Sequence, residues 1–237
     1  MKIMIQVRPS DERGRIDAGW LQGRYSFSFG DYHDPAHMGV SDLRVINDDH
    51  VAAGAGFPTH GHRDMEIVTV VLDGEMAHED SLGNGSTMRP GDVQVMSAGR
   101  GVQHSEFNAS AEQASHSLQI WLFPGERGIE PRYDQAHFGD EQLHNRLQPV
   151  VSGDGHDGSL SICQDAVIYR CQLDAGAQVI HDVNAPRQFW VQLTRGSIEV
   201  AGTQLHAGDG ARIEGEFKLV FDALSDADFL LFDLRDI

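Results

Sequence analysis

Residues 54–74 read GAGFPTHGHRDMEIVTVVLDG, and residues 90–108 read PGDVQVMSAGRGVQHSEFN. The first stretch carries the couplet His60-x-His62 and the second carries His104-x-Glu106. In an extended strand, residues i and i+2 point to the same face, with about 6–7 Å between their Cα atoms. Each couplet can therefore aim two donor groups at one point. Two such strands facing each other bring together three imidazoles and one carboxylate, a metal site by the type and number of its ligands. A single histidine on a strand is ordinarily a surface or hydrogen-bonded residue. Four polar groups set between apolar strand segments are another matter. They are costly to bury without a shared partner, and a cation is the natural one.

Around the couplets, the chain reads as short strands and tight turns. Ile67–Leu72 is a continuous β-branched run, which predicts a strand covered on both faces. Asp73-Gly74 turns it, Met76–Glu79 is the next strand, and Gly83-Asn84-Gly85 is a hairpin turn. Pro90-Gly91-Asp92 is a further turn, and Gly99 and Gly101 let the backbone turn tightly just before His104. Strands are also expected at Ile3–Val7, Leu43–Asn47 and Ser117–Phe123. Between Trp20 and Tyr32 aromatic residues are dense, and Phe27 and Phe29 alternate with Ser, predicting one shared strand face. Those rings either pack the core or wall a pocket for an aromatic ligand. Glu66 is open to two placements. A straight strand from His62 leaves it about 13 Å away, whereas a turn at Arg63–Met65 brings it back toward the site.

Residues 124–158 are dominated by Gly, Pro and charged residues and read as a crossover between two domains. One short helix is expected there, capped by Asp140, with Leu143 and Leu147 facing inward. Strands are expected to resume at Ser161. The second half then echoes the first. Asp73-Gly74-Glu75-Met76 is answered by Arg195-Gly196-Ser197-Ile198, and Pro90-Gly91-Asp92 by Ala207-Gly208-Asp209. This predicts two related β-barrels, over residues 1–134 and 135–237. Counting from the glycines, His60 answers to Asp182, His62 to Asn184 and His104 to Phe221, so the second barrel is expected to hold no metal.

Composition agrees with an all-β chain. Of 237 residues, 26 are Gly and 40% are hydrophobic, enough for a packed core between many turns. The formal charge of −18 repels phosphate backbones, which argues against direct nucleic-acid binding and leaves a neutral small molecule or a basic protein partner. Cys163 and Cys171 lack C-x-x-C spacing and read as small buried hydrophobes in a reducing compartment. No run approaches the roughly 18 apolar residues of a membrane span, and no signal peptide is evident, so a cytosolic monomer is expected.

The spacing of Gly54, His60, His62, Glu66 and Gly74 resembles the first cupin motif, and Gly101, His104 and Asn108 resemble the end of the second. Two departures stand out. The gap from Glu66 to Gly74 is one residue longer than the usual form, and Gly99 stands where a Pro is usual. GFPTHGHRDME, MAHEDSLGN, SAGRGVQHSEFN and WLQGRYSFSFGDYHDP resemble the pirin family within the cupins. The resemblance implies two cupin barrels, one metallated and one empty. It makes Glu106, not Glu66, the carboxylate ligand beside His60, His62 and His104, with Fe(II), or else Ni, Cu, Mn or Zn, as the ion. It implies a dioxygenase that opens a flavonol such as quercetin with O2 and releases CO, with Glu106 accepting the hydroxyl proton. Eukaryotic pirins imply an alternative, a redox-sensitive regulator that binds a protein partner.

Overall fold

The computed structural model describes residues 4–183, 185–215 and 218–237. Ile3, at the start of the first expected strand, and Asn184, counted against His62, lie outside the described residues. The chain is all-β, in two similar halves, each a seven-stranded sheet facing a four-stranded one.

In the N-terminal half, the large sheet runs Arg132–His137, Asp92–Ser97, Glu66–Asp73, Ser115–Leu122, Leu43–Val51, Leu21–Tyr25, Gly14–Asp17. The small sheet runs Gly56–His62, Val102–Asn108, Met76–Asp80, Gly85–Met88. Both couplets lie on the small sheet, on neighbouring antiparallel strands with His104 opposite His60. In the C-terminal half, Gln178–Asp182, Lys218–Ala223, Ser197–Val200 and Thr203–His206 form the small sheet. The centre of the large sheet is Arg187–Arg195 between Gly210–Glu214 and Ala227–Arg235.

The β-branched run Ile67–Leu72 is continuous because both of its faces are covered. Ile67 points into the N-terminal barrel, while Val68 and Val70 point outward into a core shared by both halves. That shared core also takes Ile46, Leu118 and Ile120 from the N-terminal sheet and Trp190, Leu230 and Phe232 from the C-terminal one. The two large sheets thus pack back to back. Inside the C-terminal barrel lies a second large core that includes Phe189, Leu193, Phe221, Phe229 and Leu231. Inside the N-terminal barrel the apolar clusters are small, Ile67 with Met96, Ala98 and Val102, and Val71 with Met76 and Met88.

Several local expectations need correction. Phe27 and Phe29 do not share a face, because residues 26–28 are not strand. Phe27 enters the shared core against Trp190, with ring centroids 4.7 Å apart, whereas Phe29 packs on Tyr25 and Trp121. The segment read as a crossover contains two strands, Arg132–His137 on the N-terminal sheet and Gln148–Ser152 on the C-terminal one. The first is a polar edge strand and the second carries Pro149, and both features mask a strand. Its helix spans only Asp140–Leu143, with Gly139 and not Asp140 as its N-cap, so Leu147 reaches the C-terminal core from outside it. Strand Met4–Arg8 pairs with Gly210–Glu214, so the start of the chain completes the C-terminal sheet. Both cysteines are free, but only Cys171 is buried, with Cys163 half-buried. No helix among the described residues is long and apolar enough to cross a membrane.

Candidate metal centre and its cavity

The approach to His104 depends on two glycines. Gly99 has φ +44° and a Cβ there would lie 2.1 Å from the Ile129 carbonyl oxygen, while Gly101 has φ +139°. A bulge between His104 and Glu106 then sets the two residues against His60 and Phe57. Donor atoms of His60, His62 and His104 all lie within 4.8 Å of one another. His60 Nδ1 lies 2.9 Å from the Pro58 carbonyl oxygen. That bond must be donated by the ring, which leaves the lone pair on Nε2. His60 Nε2 and His104 Nε2 are 3.0 Å apart. Two ring nitrogens so close repel unless a proton or a cation joins them. Two ligands about 2.1 Å from an ion and at right angles would stand about 3.0 Å apart. The donor set therefore fits a metal ion.

The electrostatics agree. Burial, with His60 beside it, holds the His62 imidazole down to about 4. Burial and the neighbouring His60, His62 and His78 hold His104 down to about 3. Both rings are thus neutral at physiological pH, the form that ligates metal. Glu106 is fully buried on the same strand, and burial pushes its carboxyl above the usual carboxylate range. The Gln119 amide donates to both of its oxygens, at 3.1 and 2.8 Å, and the Thr69 hydroxyl lies 3.4 Å from Oε1. Glu106 clusters with His104 and His78 within 4.8 Å. Glu66 is placed elsewhere. A turn does form at 63–65, with Asp64 at φ +48°. Glu66 nevertheless begins the next strand of the large sheet, where its buried carboxylate accepts a 2.6 Å bond from Ser97. It is in neither of these donor clusters. Asn108 ties the end of the ligand strand to the Val51 and Gln113 carbonyls, at 3.0 and 2.8 Å.

A cavity of about 390 Å³ opens beside the histidines, walled by Tyr25, Phe29, Phe57 and Trp121 with His60 and His62. Trp121 stands edge-on to His62, with centroids 4.9 Å apart. Its size and apolar walls suit a small planar ring system, and the donor cluster supplies the polar end.

The sequence profile described as Pirin matches residues 6–122, and that described as Quercetinase C-terminal cupin domain matches residues 149–234. The chain is 45% identical over 234 residues to a protein of Escherichia coli K12 named quercetin 2,3-dioxygenase, covering 99% of this chain and 100% of that one. The chain belongs to the pirin family. It is also 39% identical to a pirin-like protein of Caulobacter vibrioides, with 97% of this chain and 99% of the relative covered. Its fold superposes on the crystal structure of the bacterial pirin YhhW of Escherichia coli in complex with nickel(II), with a TM-score of 0.94, 44% identity, and 99% and 100% of the two chains covered. The two halves of this pirin are therefore two cupin barrels.

Sequence reasoning missed His78, Thr69, Gln119 and Trp121. His78 carried a signal, since a strand that buries Met76 also buries the residue two further on, and His78 is 1% exposed. Thr69 and Gln119 look like ordinary polar residues in apolar strands until pairing sets them side by side. A third donor cluster, Asp48, His50 and His116, lies in a cleft between the barrels. Its two imidazoles stack at 3.9 Å and 17°, so their in-plane lone pairs do not meet at one point. Asp48 is shared instead between His116 at 2.6 Å and Arg13 at 2.8 Å, a hydrogen-bonded network.

The repeat is real, but counting misplaced its register. Gly74 and Gly196 abut equivalent backbone, Ala114–Ser115 and Asp226–Ala227. From that anchor His78 answers to Val200, and their partners Glu106 and Phe221 are equivalent. Leu219 therefore stands where His104 stands, and His181, not Asp182, stands where His60 stands. The loop before the second ligand strand is two residues shorter, which a count from Gly208 cannot register.

Proposed function

We propose that this pirin is a metal-dependent dioxygenase that opens the ring of a flavonol such as quercetin with O2 and releases CO. His60, His62, His104 and Glu106 hold one divalent ion per chain, Fe(II) or, as in the Escherichia coli relative, nickel(II). The observation that carries this reading is the convergence of three imidazoles, those of His62 and His104 held neutral, beside a buried carboxylate at the wall of an aromatic cavity. The names of the curated relatives support the substrate class. A divalent ion bound there supplies Lewis acidity toward a substrate hydroxyl and redox chemistry toward O2.

The protein's own groups do the rest. The rings of Trp121, Phe29, Phe57 and Tyr25 clamp a flat substrate and exclude water. Glu106, whose carboxyl burial makes a better base, takes the proton of the flavonol 3-hydroxyl. Gln119 and Thr69 keep the carboxylate oriented as its charge changes. The Pro58 carbonyl holds His60 in the tautomer that presents Nε2.

The test is elemental analysis of protein purified without added metal, with O2 uptake and CO release measured on quercetin. One equivalent of a redox-active metal with matched O2 uptake and CO release is expected. A protein that binds no metal even after reconstitution would sink the ligand assignment. A loaded protein without turnover would sink the reaction.

A further inference from the structure

One wall of the cavity carries polar groups that the proposed reaction leaves unused. Asn47 and Asp49 lie two residues apart on strand Leu43–Val51, so they share its inward face. Both line the cavity, and they are only 3% and 5% exposed. Asn47 Oδ1 and Asp49 Oδ1 are buried without a hydrogen-bond partner among the described residues. Such groups are rare in a finished interior, and each asks what it is kept for.

The backbone makes room for them. Asp49 faces Gly23 across the sheet, and a Cβ at Gly23 would come within 2.5 Å of Asp49 Oδ1. Only glycine leaves the carboxyl its place. Asn47 faces Gln119, the residue that holds Glu106, so this wall lies one strand away from the residue that orients the proposed base. Burial, with Asp48 and Glu106 nearby, pushes the Asp49 carboxyl up to about 8. At neutral pH it is an uncharged donor and acceptor, suited to another uncharged group rather than to an ion.

We propose that Asn47 and Asp49 are specificity-determining residues that bind the ring hydroxyls of a polyphenolic substrate. The inference rests on the flavonol reading and narrows it, because the preferred substrate must carry hydroxyls beyond the one that undergoes chemistry. A site built to pair a hydroxyl discriminates against an analogue lacking it, since its buried groups are then left unpaired.

The experiment compares quercetin with 3-hydroxyflavone, which keeps the reacting hydroxyl and lacks the ring hydroxyls. Dissociation constants come from calorimetry on zinc-loaded protein, and KM and kcat from O2 uptake on the active holoenzyme. The wild type is expected to favour quercetin by at least about tenfold in Kd. Asp49→Ala and Asn47→Ala should shrink that preference to about twofold, while Asp49→Asn, which keeps hydrogen-bonding capacity, should retain most of it. If the alanine variants weaken both ligands equally, the residues are structural and the proposal falls. A wild type that binds the two ligands equally overturns it as well, whatever the turnover. If neither flavonol is turned over but the quercetin preference appears in binding and collapses in the variants, the reaction fails while this inference stands.

Discussion

A row of cross-strand neighbours runs over the inner face of each large sheet. In the N-terminal barrel it is Asn47, Gln119, Thr69 and Gln94. In the C-terminal barrel the same row is Tyr169, Leu231, Val191 and Ala211. The small sheet above it changes in step, with His104 and Glu106 in one barrel and Leu219 and Phe221 in the other. Phe221 stacks on Phe229 at 4.9 Å, where Ser117 stands in the N-terminal barrel. His181 remains at the position of His60, but Asp233 binds it at 2.8 Å, and Arg187 closes the group by pairing with Asp233 at 2.5 Å. One barrel thus spends its interior on packing, the other on a polar cluster and a cavity. The strand framework is common to both, so the side chains on a few inward positions decide which barrel carries the donor cluster.

The contrast breaks most completely if the imidazoles go. His60→Ala combined with His104→Ala should reduce bound metal from one equivalent to under about a tenth. Activity should fall by more than about a hundredfold, because losing even the partners of ligands costs 10–100-fold. Metal analysis and O2 uptake check this, and His181→Ala, the equivalent change in the other barrel, should leave metal content at one equivalent.

Next in size is the packed interior. Phe221→Ala opens a cavity in the C-terminal core and should destabilise by about 3–5 kcal/mol. Denaturant unfolding reads the loss, and metal content per folded chain should hold. If metal is lost with it, the two barrels are not the separable interiors described above.

Making the N-terminal row resemble its counterpart is a subtler change. Gln119→Leu removes the amide that bonds both oxygens of Glu106. Metal affinity and kcat are expected to fall by about 10–100-fold, and Gln119→Glu should not restore them, since a second carboxylate cannot donate when ionised. A Gln119→Leu protein with full activity would mean that the row is scaffold only.

The last effect is confined to a pH window. Asp49 has its carboxyl raised from the usual 3.8 to about 8, chiefly by burial. Below pH 3.8 the folded and unfolded states both hold the proton, and no penalty arises. As pH rises, the unfolded chain ionises while the folded one does not, so folding loses stability until about pH 8 and then no further. Asp49→Asn removes that loss. Its stability gain over the wild type should widen by up to about 1.4 kcal/mol per pH unit between pH 5 and 8 and level off above. Thermal scans across pH check the sign, and a gain that stays constant with pH would show that Asp49 is not held protonated.

Much of the site was legible because it is local. His60-x-His62 and His104-x-Glu106 each lie within one strand, where a spacing of two places both side chains on one face. Glycine positions were legible for the same reason, since a positive φ at Gly74, Gly91, Gly99 or Gly101 is a property of single residues. Thr69, Gln119, Asn47 and Asp49 were not, because each matters only through a neighbour on another strand. Glu66 shows the other limit. The motif spacing includes it and the turn before it forms, yet its carboxylate is taken by Ser97.

The sequence by itself determined the all-β class, the tandem of two barrels and the two couplets that set donor side chains on shared strand faces, because composition, turn residues and strand alternation act over a few neighbours. Only the tertiary structure decided which positions answer one another in the two barrels, where Phe27 and Phe29 part company, and which polar side chains line the aromatic cavity. Those follow from strand register, loop length and bulges. A two-residue difference in one loop moves Phe221 from the place of His104 to that of Glu106, and a count along the chain has no access to the pairing that decides it.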